Sequence, residues 1–143
     1  MKTVYKILFS HNRKLYSMIK IHTIKEKNKG GKYKFVQRYF TNRTNYPKYG
    51  KIFAFDNLEA AQRYLYCFND VLADKLVIVE ATTTKTSTPK QLGIEYIPYY
   101  TAEDKVITFW SDEYYSVSPR NRNNIPDNTV FCDDLTLLRK ILI

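Results

Sequence analysis

The sequence predicts an α+β fold, a mainly antiparallel sheet of about five to seven short strands with one amphipathic helix at about residues 57–69 packed on it. Two observations predict this class: short apolar runs are separated by turn residues, and one longer stretch repeats apolar residues at helical spacing. With 143 residues, of which 44% are hydrophobic, the chain can build a substantial core, which excludes disordered and collagen-like classes. We find no repeat or linker, so we expect a single domain over residues 1–143.

The amino-terminal part predicts three strands. Residues 3–10 and 15–22 read as strands around a polar turn at 11–14, which is the pattern of a β-hairpin. A basic loop over 25–32 turns at two glycines into a third strand over 33–40. Because side chains alternate along a strand, its aromatic residues fall on one face, namely Tyr33, Phe35 and Tyr39.

A short buried strand over 51–55 leads directly into the predicted helix. We expect Asp56 to cap the amino terminus of the helix, and Glu59, three residues later, to complete a capping box. Apolar residues then recur at helical spacing and give the helix one apolar face, formed by Leu58, Ala61, Leu65 and Phe68.

Several shorter runs complete the predicted architecture. Four apolar or aromatic runs predict strands, at 75–81, 96–100, 106–110 and 130–132. Two polar runs predict loops, a threonine-rich one over 82–90 and a longer one over 116–128. Residues 135–143 are compatible with either a helix or a strand.

Charge is unevenly distributed along the chain. Residues 1–55 contain 11 lysines and three arginines against one acid, Glu26, a net charge of +13, whereas residues 56–143 carry −4. A basic half joined to a mildly acidic remainder indicates nucleic acid or another phosphate-rich anion as the partner. The alternative, which the sequence leaves open, is that lysine is simply the common surface residue of a lysine- and asparagine-rich chain.

Aromatic residues are interleaved with these basic residues, as in many proteins that bind single-stranded nucleic acid. Basic side chains neutralise phosphates with release of counterions, and exposed rings stack on bases. An ordinary amphipathic strand offers an alternative role for the rings, as its core face. The predicted binding residues are the basic side chains Lys25, Lys27, Lys29, Lys32, Lys34, Arg38, Arg43 and Lys48 and the stacking rings Tyr33, Tyr39 and Tyr46.

A second aromatic cluster, over residues 96–115, supports a rival hypothesis. Tyrosine and tryptophan are enriched at protein interfaces, so the cluster fits a dimer seam or a surface for another protein, and a homo-oligomer would follow. It also fits a module that sequesters a nucleotide, with arginines on the phosphates. The residues of this alternative are Tyr99, Tyr100, Trp110, Tyr114, Arg120 and Arg122.

Residue patterns that support enzymatic chemistry are missing from the sequence. The four glycines form neither a Walker loop nor a dinucleotide-binding turn, and the two histidines, His11 and His22, belong to no metal-binding motif. Adjacent acids such as Asp133 and Asp134 would point to opposite faces of a strand and would not converge on one ligand. We therefore expect a non-enzymatic protein without a metal or another cofactor.

The sequence gives no signal for export or membrane insertion. The amino terminus lacks the apolar region and cleavage site of a signal peptide, and no run approaches the ~20 apolar residues of a transmembrane helix. The two cysteines, Cys67 and Cys132, make no disulfide framework and are expected as small buried side chains. We therefore expect an intracellular protein that is neither secreted nor bound to a membrane.

Short runs spread over most of the chain resemble a pattern in small uncharacterised proteins of phages and large DNA viruses. The runs are Tyr5–Lys6, Ser17–Met18, residues 51–56 leading into Glu59–Ala60, Val79–Glu80–Ala81, and residues 130–133. The resemblance implies a viral accessory protein, acting in the cytoplasm or nucleus of a host cell, and it assigns no catalytic residue. With the basic half, it gives the expected function, which is nucleic-acid binding through the amino-terminal β region.

Overall fold

A computed structural model describes residues 1–18, 36–48, 50–66, 73–87 and 128–141. Several predicted features lie outside these ranges, namely the basic loop, the first part of the third strand, both aromatic strands, Cys67 and most of the loop over 116–128. These features stay predictions. The sheet, the helix and part of the predicted binding surface lie within the described ranges.

The described ranges contain eight strands, and every pairing between them is antiparallel. One helix, α1 (Leu58–Tyr66), and a 3-10 turn (Ala73–Lys75) accompany them there. The α+β class with a mainly antiparallel sheet is therefore confirmed, and the strand count exceeds the expected five to seven because two-residue strands also pair. The strands are β1 (Lys2–His11), β2 (Lys14–Tyr16), β3 (Arg38–Tyr39), β4 (Ile52–Phe55), β5 (Leu76–Thr83), β6 (Thr86–Ser87), β7 (Thr129–Cys132) and β8 (Thr136–Ile141).

β1 is the central strand of the sheet. Along one edge it pairs with β5 from Lys2 to Phe9, and along the other edge it pairs with β4 and, at its carboxyl end, with β2. β3 extends the sheet beyond β2, β7 and β6 extend it beyond β4, and β8 lies beyond β5. Backbone hydrogen bonds of 2.8 Å in both directions between Asn45 and Leu135 then join the chain after β3 to the chain before β8. This connection closes a ring of strands around one apolar cluster.

The first hairpin turns over two residues. Asn12 and Arg13 have positive φ angles of 51° and 65°, as in a type I′ turn, whose twist matches that of the flanking strands. The predicted hairpin is therefore confirmed. β2 ends at Tyr16, because Ser17 bonds to Gln37 through its side chain as well as its backbone and the regular ladder stops. Residues 19–22 of the predicted second strand lie outside the described ranges.

Both faces of β1 are buried. Val4 and Leu8 point into an inner cluster that is enclosed by the ring of strands. Ile7 and Phe9 alternate with them and point onto an outer cluster, where the apolar face of α1 packs. Full burial of a side chain of this size contributes about 1.5–3 kcal/mol, so the two clusters are the main source of stability.

The N-cap residue of α1 lies one position later in the chain than predicted. The Asn57 Oδ1 atom accepts a 2.8 Å hydrogen bond from the backbone N–H of Ala60, so Asn57 is the N-cap residue. Asp56 instead accepts a 3.0 Å bond from the Asn57 side-chain amide. The capping box predicted with Glu59 is therefore wrong, because the third helical residue is Ala60. No helix in the described ranges is long and apolar enough to cross a membrane.

The carboxyl-terminal segment is a strand, and part of the predicted threonine-rich loop also pairs in the sheet. Residues 136–141 form β8, so this segment is extended rather than helical. β5 continues to Thr83, and Thr86–Ser87 pair with β7, where the sequence predicts a threonine-rich loop. Threonine is favoured in strands, which accounts for the difference. The strand predicted over 130–132 is confirmed as part of β7.

Candidate nucleic-acid interface

The structure describes five of the predicted binding residues. All five lie within residues 38–48, a segment that we call the arginine loop: Arg38, Tyr39, Arg43, Tyr46 and Lys48. The other predicted binding residues lie outside the described ranges, namely Lys25, Lys27, Lys29, Lys32, Tyr33 and Lys34. So does every residue of the rival aromatic site, Tyr99, Tyr100, Trp110, Tyr114, Arg120 and Arg122, and that hypothesis stays a prediction.

A buried asparagine gives the arginine loop its shape. The Asn45 Oδ1 atom accepts a 2.8 Å bond from the N–H of Phe40, and Nδ2 donates to the carbonyl of Phe40 at 2.9 Å. Nδ2 also lies 3.2 Å from the carbonyl of Arg43 and 3.1 Å from that of Leu135. Asparagine commonly bonds to nearby backbone in turns. Here it closes the turn that follows β3 and fastens it to the chain before β8.

Two arginines stack on one ring at the surface of the arginine loop. The guanidinium carbons of Arg38 and Arg43 lie 4.5 and 3.8 Å from the centroid of the Phe40 ring, and both arginines are exposed. Cation–π contacts contribute about 0.5–1 kcal/mol each at exposed sites. The Phe40 ring therefore favours the placement of two positive charges beside it.

Within the part of the chain that the structure describes, no carboxylate forms an ion pair with these arginines. The ion pairs found there join Lys51 to Asp133 and Arg139 to Glu80. A guanidinium carries five N–H donors and keeps its charge at any ordinary pH. Arg38 and Arg43 therefore present donors and charge that suit the oxygens of a phosphate or a carboxylate.

Gln37 holds the second half of the arginine loop. Its Nε2 atom donates a 2.6 Å bond to the carbonyl of Tyr46, and its Oε1 atom accepts a 2.9 Å bond from the N–H of Lys48. Lys48 is exposed and donates through Nζ to the carbonyl of Val36 at 3.3 Å. Tyr46 is 68% exposed. One ordered segment therefore presents three cations and an exposed aromatic ring.

Tyr39 does not share this surface. It is 4% exposed and belongs to the inner cluster, beside Lys6. Side chains alternate along a strand, so Tyr39 points inward from β3 while its neighbours Arg38 and Phe40 point outward. The expected stacking role of Tyr39 is thus corrected to a core role. The ring on which the arginines stack is Phe40, which the sequence does not single out.

A buried lysine, which sequence reasoning missed, lies inside the ring of strands. Lys6 is 5% exposed, and its Nζ atom lies 5.8 Å from the centroid of the Tyr39 ring. No carboxylate pairs with Lys6 within the described ranges. The signal that could have found it is the alternation of β1, because Lys6 falls on the same face as Val4 and Leu8.

Burial sets the acid–base properties of this interior. It lowers the pKa of Lys6 to about 8, and the neighbouring Cys132 only partly opposes this. Burial raises the pKa of the Cys132 thiol to about 11, against the opposing effects of Lys6 and Thr83. It also raises the pKa of the Tyr39 phenol. Each group is shifted toward its uncharged form, so Cys132 lacks the thiolate that a reactive cysteine needs.

The acidic pair after β7 has structural partners. Asp133 binds Lys51, and Asp134 accepts bonds from the Thr83 hydroxyl at 3.1 Å and the Thr84 N–H at 2.8 Å. Desolvation raises the pKa of Asp134, but the hydrogen bonds from Thr84 and Thr83 outweigh it, so the pKa lies below its ordinary value. The described ranges contain no group of three or more histidine, cysteine or acidic side chains placed to hold a metal.

Comparison with known proteins does not assign the chain to a family. No protein-family model, curated protein or solved structure matches it. The geometry of the arginine loop and the charge of the amino-terminal half are the features that bear on function.

Proposed function

We propose that the chain binds nucleic acid through its basic amino-terminal β region, with the arginine loop on the phosphate backbone. The observation that supports this most directly is the pair of exposed guanidiniums stacked on Phe40. Arginine binds phosphate through paired N–H donors, and its stacking on Phe40 fixes the side chain before the ligand arrives. Less conformational freedom is then lost on binding.

The charge of the whole amino-terminal half extends this argument. Residues 1–55 carry a net charge of +13, so a polyanion that contacts the arginine loop is also attracted by the net positive charge of this half of the chain. Neutralisation of several phosphates releases counterions and supplies most of the sequence-independent affinity for nucleic acid. A single small anion would gain from only one or two of these charges, which favours a polymer as the ligand.

The role that fits this binding is non-enzymatic. The resemblance of short runs to small proteins of phages and large DNA viruses supports an accessory role in infection, within a host cell. Asp133, Asp134 and Cys132 have structural roles, in an ion pair, in hydrogen bonds and in the core, and these roles favour binding over catalysis.

The experiment that tests the proposal compares two charge-matched double variants. Arg38→Gln with Arg43→Gln removes the stacked pair, and Arg63→Gln with Lys75→Gln removes two exposed charges from α1 and the 3-10 turn. Fluorescence anisotropy with a labelled single-stranded oligonucleotide measures the affinity. We expect about tenfold weaker binding for the first variant, since each exposed charge contact contributes on the order of 0.5–1 kcal/mol. Equal affinities of the two variants would contradict the proposal.

Lysines of the predicted basic loop and of the start of the predicted third strand give a second, independent test. Changing Lys27, Lys29, Lys32 and Lys34 together to glutamate reverses four charges of the amino-terminal half. We expect loss of binding with an unchanged urea midpoint, because charged loop residues contribute little to a core. Binding that persists at moderate salt would show that these lysines are only surface residues.

A further inference from the structure

We infer that the arginine loop selects single-stranded over duplex nucleic acid, with an unpaired base stacked on Tyr46. The inference rests on the proposed function and assigns a substrate class to the same surface. Tyr46 is exposed, and hydrogen bonds hold its backbone in place. The same short segment carries three cations.

Tyr46 combines exposure with a fixed backbone. The residue is 68% exposed, while its carbonyl accepts a 2.6 Å bond from Gln37. On one side of it, Asn45 is buried and paired with Leu135 by two backbone bonds of 2.8 Å. On the other side, Pro47 has a restricted φ angle. The ring is therefore presented to solvent by a segment that needs little ordering when a ligand stacks on it.

This combination matches the chemistry of an unpaired nucleotide. Each nucleotide of a single strand offers a phosphate and a base with an open face, and an aromatic ring beside cations can bind both. In a duplex, the faces of the bases are stacked on one another and are closed to the ring. Duplex readers place a helix or a β-ribbon in the major groove, whereas residues 38–48 contain only the two-residue strand β3 and turns.

Tyr66 provides a matched control. It is also an exposed tyrosine, 81% accessible, but it lies at the last described residue of α1 rather than in the arginine loop. If the replacement of any exposed tyrosine by alanine weakened binding, Tyr46→Ala and Tyr66→Ala would both lose affinity. A specific stacking role of Tyr46 predicts a loss of affinity for Tyr46→Ala alone.

The test uses three labelled probes of equal length: a 12-residue oligodeoxythymidine, an abasic oligomer with the same phosphates, and a duplex. We expect the wild-type protein to bind the oligodeoxythymidine about fivefold or more tighter than the abasic oligomer, from the range of base-stacking contributions. Tyr46→Ala removes this difference, while Tyr46→Phe and Tyr66→Ala keep it. The duplex, whose base faces are closed to the ring, binds more weakly than the oligodeoxythymidine.

Three results would overturn the inference. They are a duplex that binds at least as tightly as the oligodeoxythymidine, equal wild-type affinity for the oligodeoxythymidine and the abasic oligomer, and unchanged binding of Tyr46→Ala. If one of these results is found and Arg38→Gln with Arg43→Gln still weakens binding, the proposed function stands and only the selectivity for single strands fails. If the arginine variant also binds like wild type, both fail.

Discussion

Replacing Lys6 by methionine is expected to stabilise the protein at pH 7. Lys6 is 5% exposed, and its pKa falls from 10.5 to about 8 on folding. Each pKa unit corresponds to about 1.36 kcal/mol, so keeping the proton on this buried amine is unfavourable by about 3 kcal/mol. Methionine is unbranched, uncharged and of similar length, so it can fill the same space. We expect the free energy of unfolding to rise by about 3 kcal/mol, less the small contribution of the contact with Tyr39.

Because Lys6 is buried, we also expect the wild-type protein to gain stability as the pH rises from 7 to 9. The pKa of Lys6 is lower in the folded state, so between pH 8 and 10.5 the unfolded chain binds more protons and the free energy of unfolding rises with pH. Cys132 acts in the opposite direction above pH 9, because its folded pKa is raised to about 11. The net gain is about 1 kcal/mol, and Lys6→Met abolishes it.

Urea denaturation at pH 7, 8 and 9 measures both effects. The matched control is Lys14→Met, which removes an exposed lysine from β2 and is expected to change the free energy of unfolding by at most about 0.5 kcal/mol. A Lys6→Met protein less stable than wild type at pH 7, with an unchanged pH dependence, would refute the reasoning. Such a result would mean that the interior stabilises the charged form of Lys6.

Three further predictions concern the backbone and its hydrogen bonds, all read by urea denaturation. Asn57→Ala lowers the free energy of unfolding by about 1 kcal/mol and Asp56→Ala by less than about 0.5 kcal/mol, because Asn57 caps α1; equal losses would contradict the assigned cap. Asn45→Ala lowers it by about 2–3 kcal/mol, because buried backbone groups lose their partner; a loss below about 0.5 kcal/mol would show that the arginine loop does not depend on Asn45. Arg13→Gly raises it by about 1 kcal/mol, since φ is 65° there; a decrease would argue against the two-residue turn.

Much of the fold could be predicted because the responsible patterns are local. The alternation of β1 and the apolar run of β5 set which residues face each cluster, and the polar turn between β1 and β2 sets the first hairpin. The helix cap could not be fixed in this way. Asp56 and Asn57 are both favourable cap residues, and the choice depends on how β4 delivers the chain into α1.

The candidate site could be predicted only in part, for a different physical reason. Charge is visible in a sequence, so Arg38 and Arg43 could be named as binding residues. Which of Tyr39 and Phe40 faces outward depends on the pairing of β3 with β2, and this pairing joins residues distant in the chain. Lys6 was missed because lysine is rarely buried, and only the enclosing strands force it inside.

The salt dependence of binding tests the central claim most directly. A labelled single-stranded oligonucleotide is titrated with the wild-type protein and with Arg38→Gln, Arg43→Gln over a series of salt concentrations. We expect the logarithm of the binding constant to fall linearly with the logarithm of salt concentration. We also expect a slope shallower by about 1.4 in the double variant, because each phosphate of a single strand contributes about 0.7. Identical slopes for the two proteins, or no salt dependence in the wild type, would contradict phosphate binding by the arginine loop.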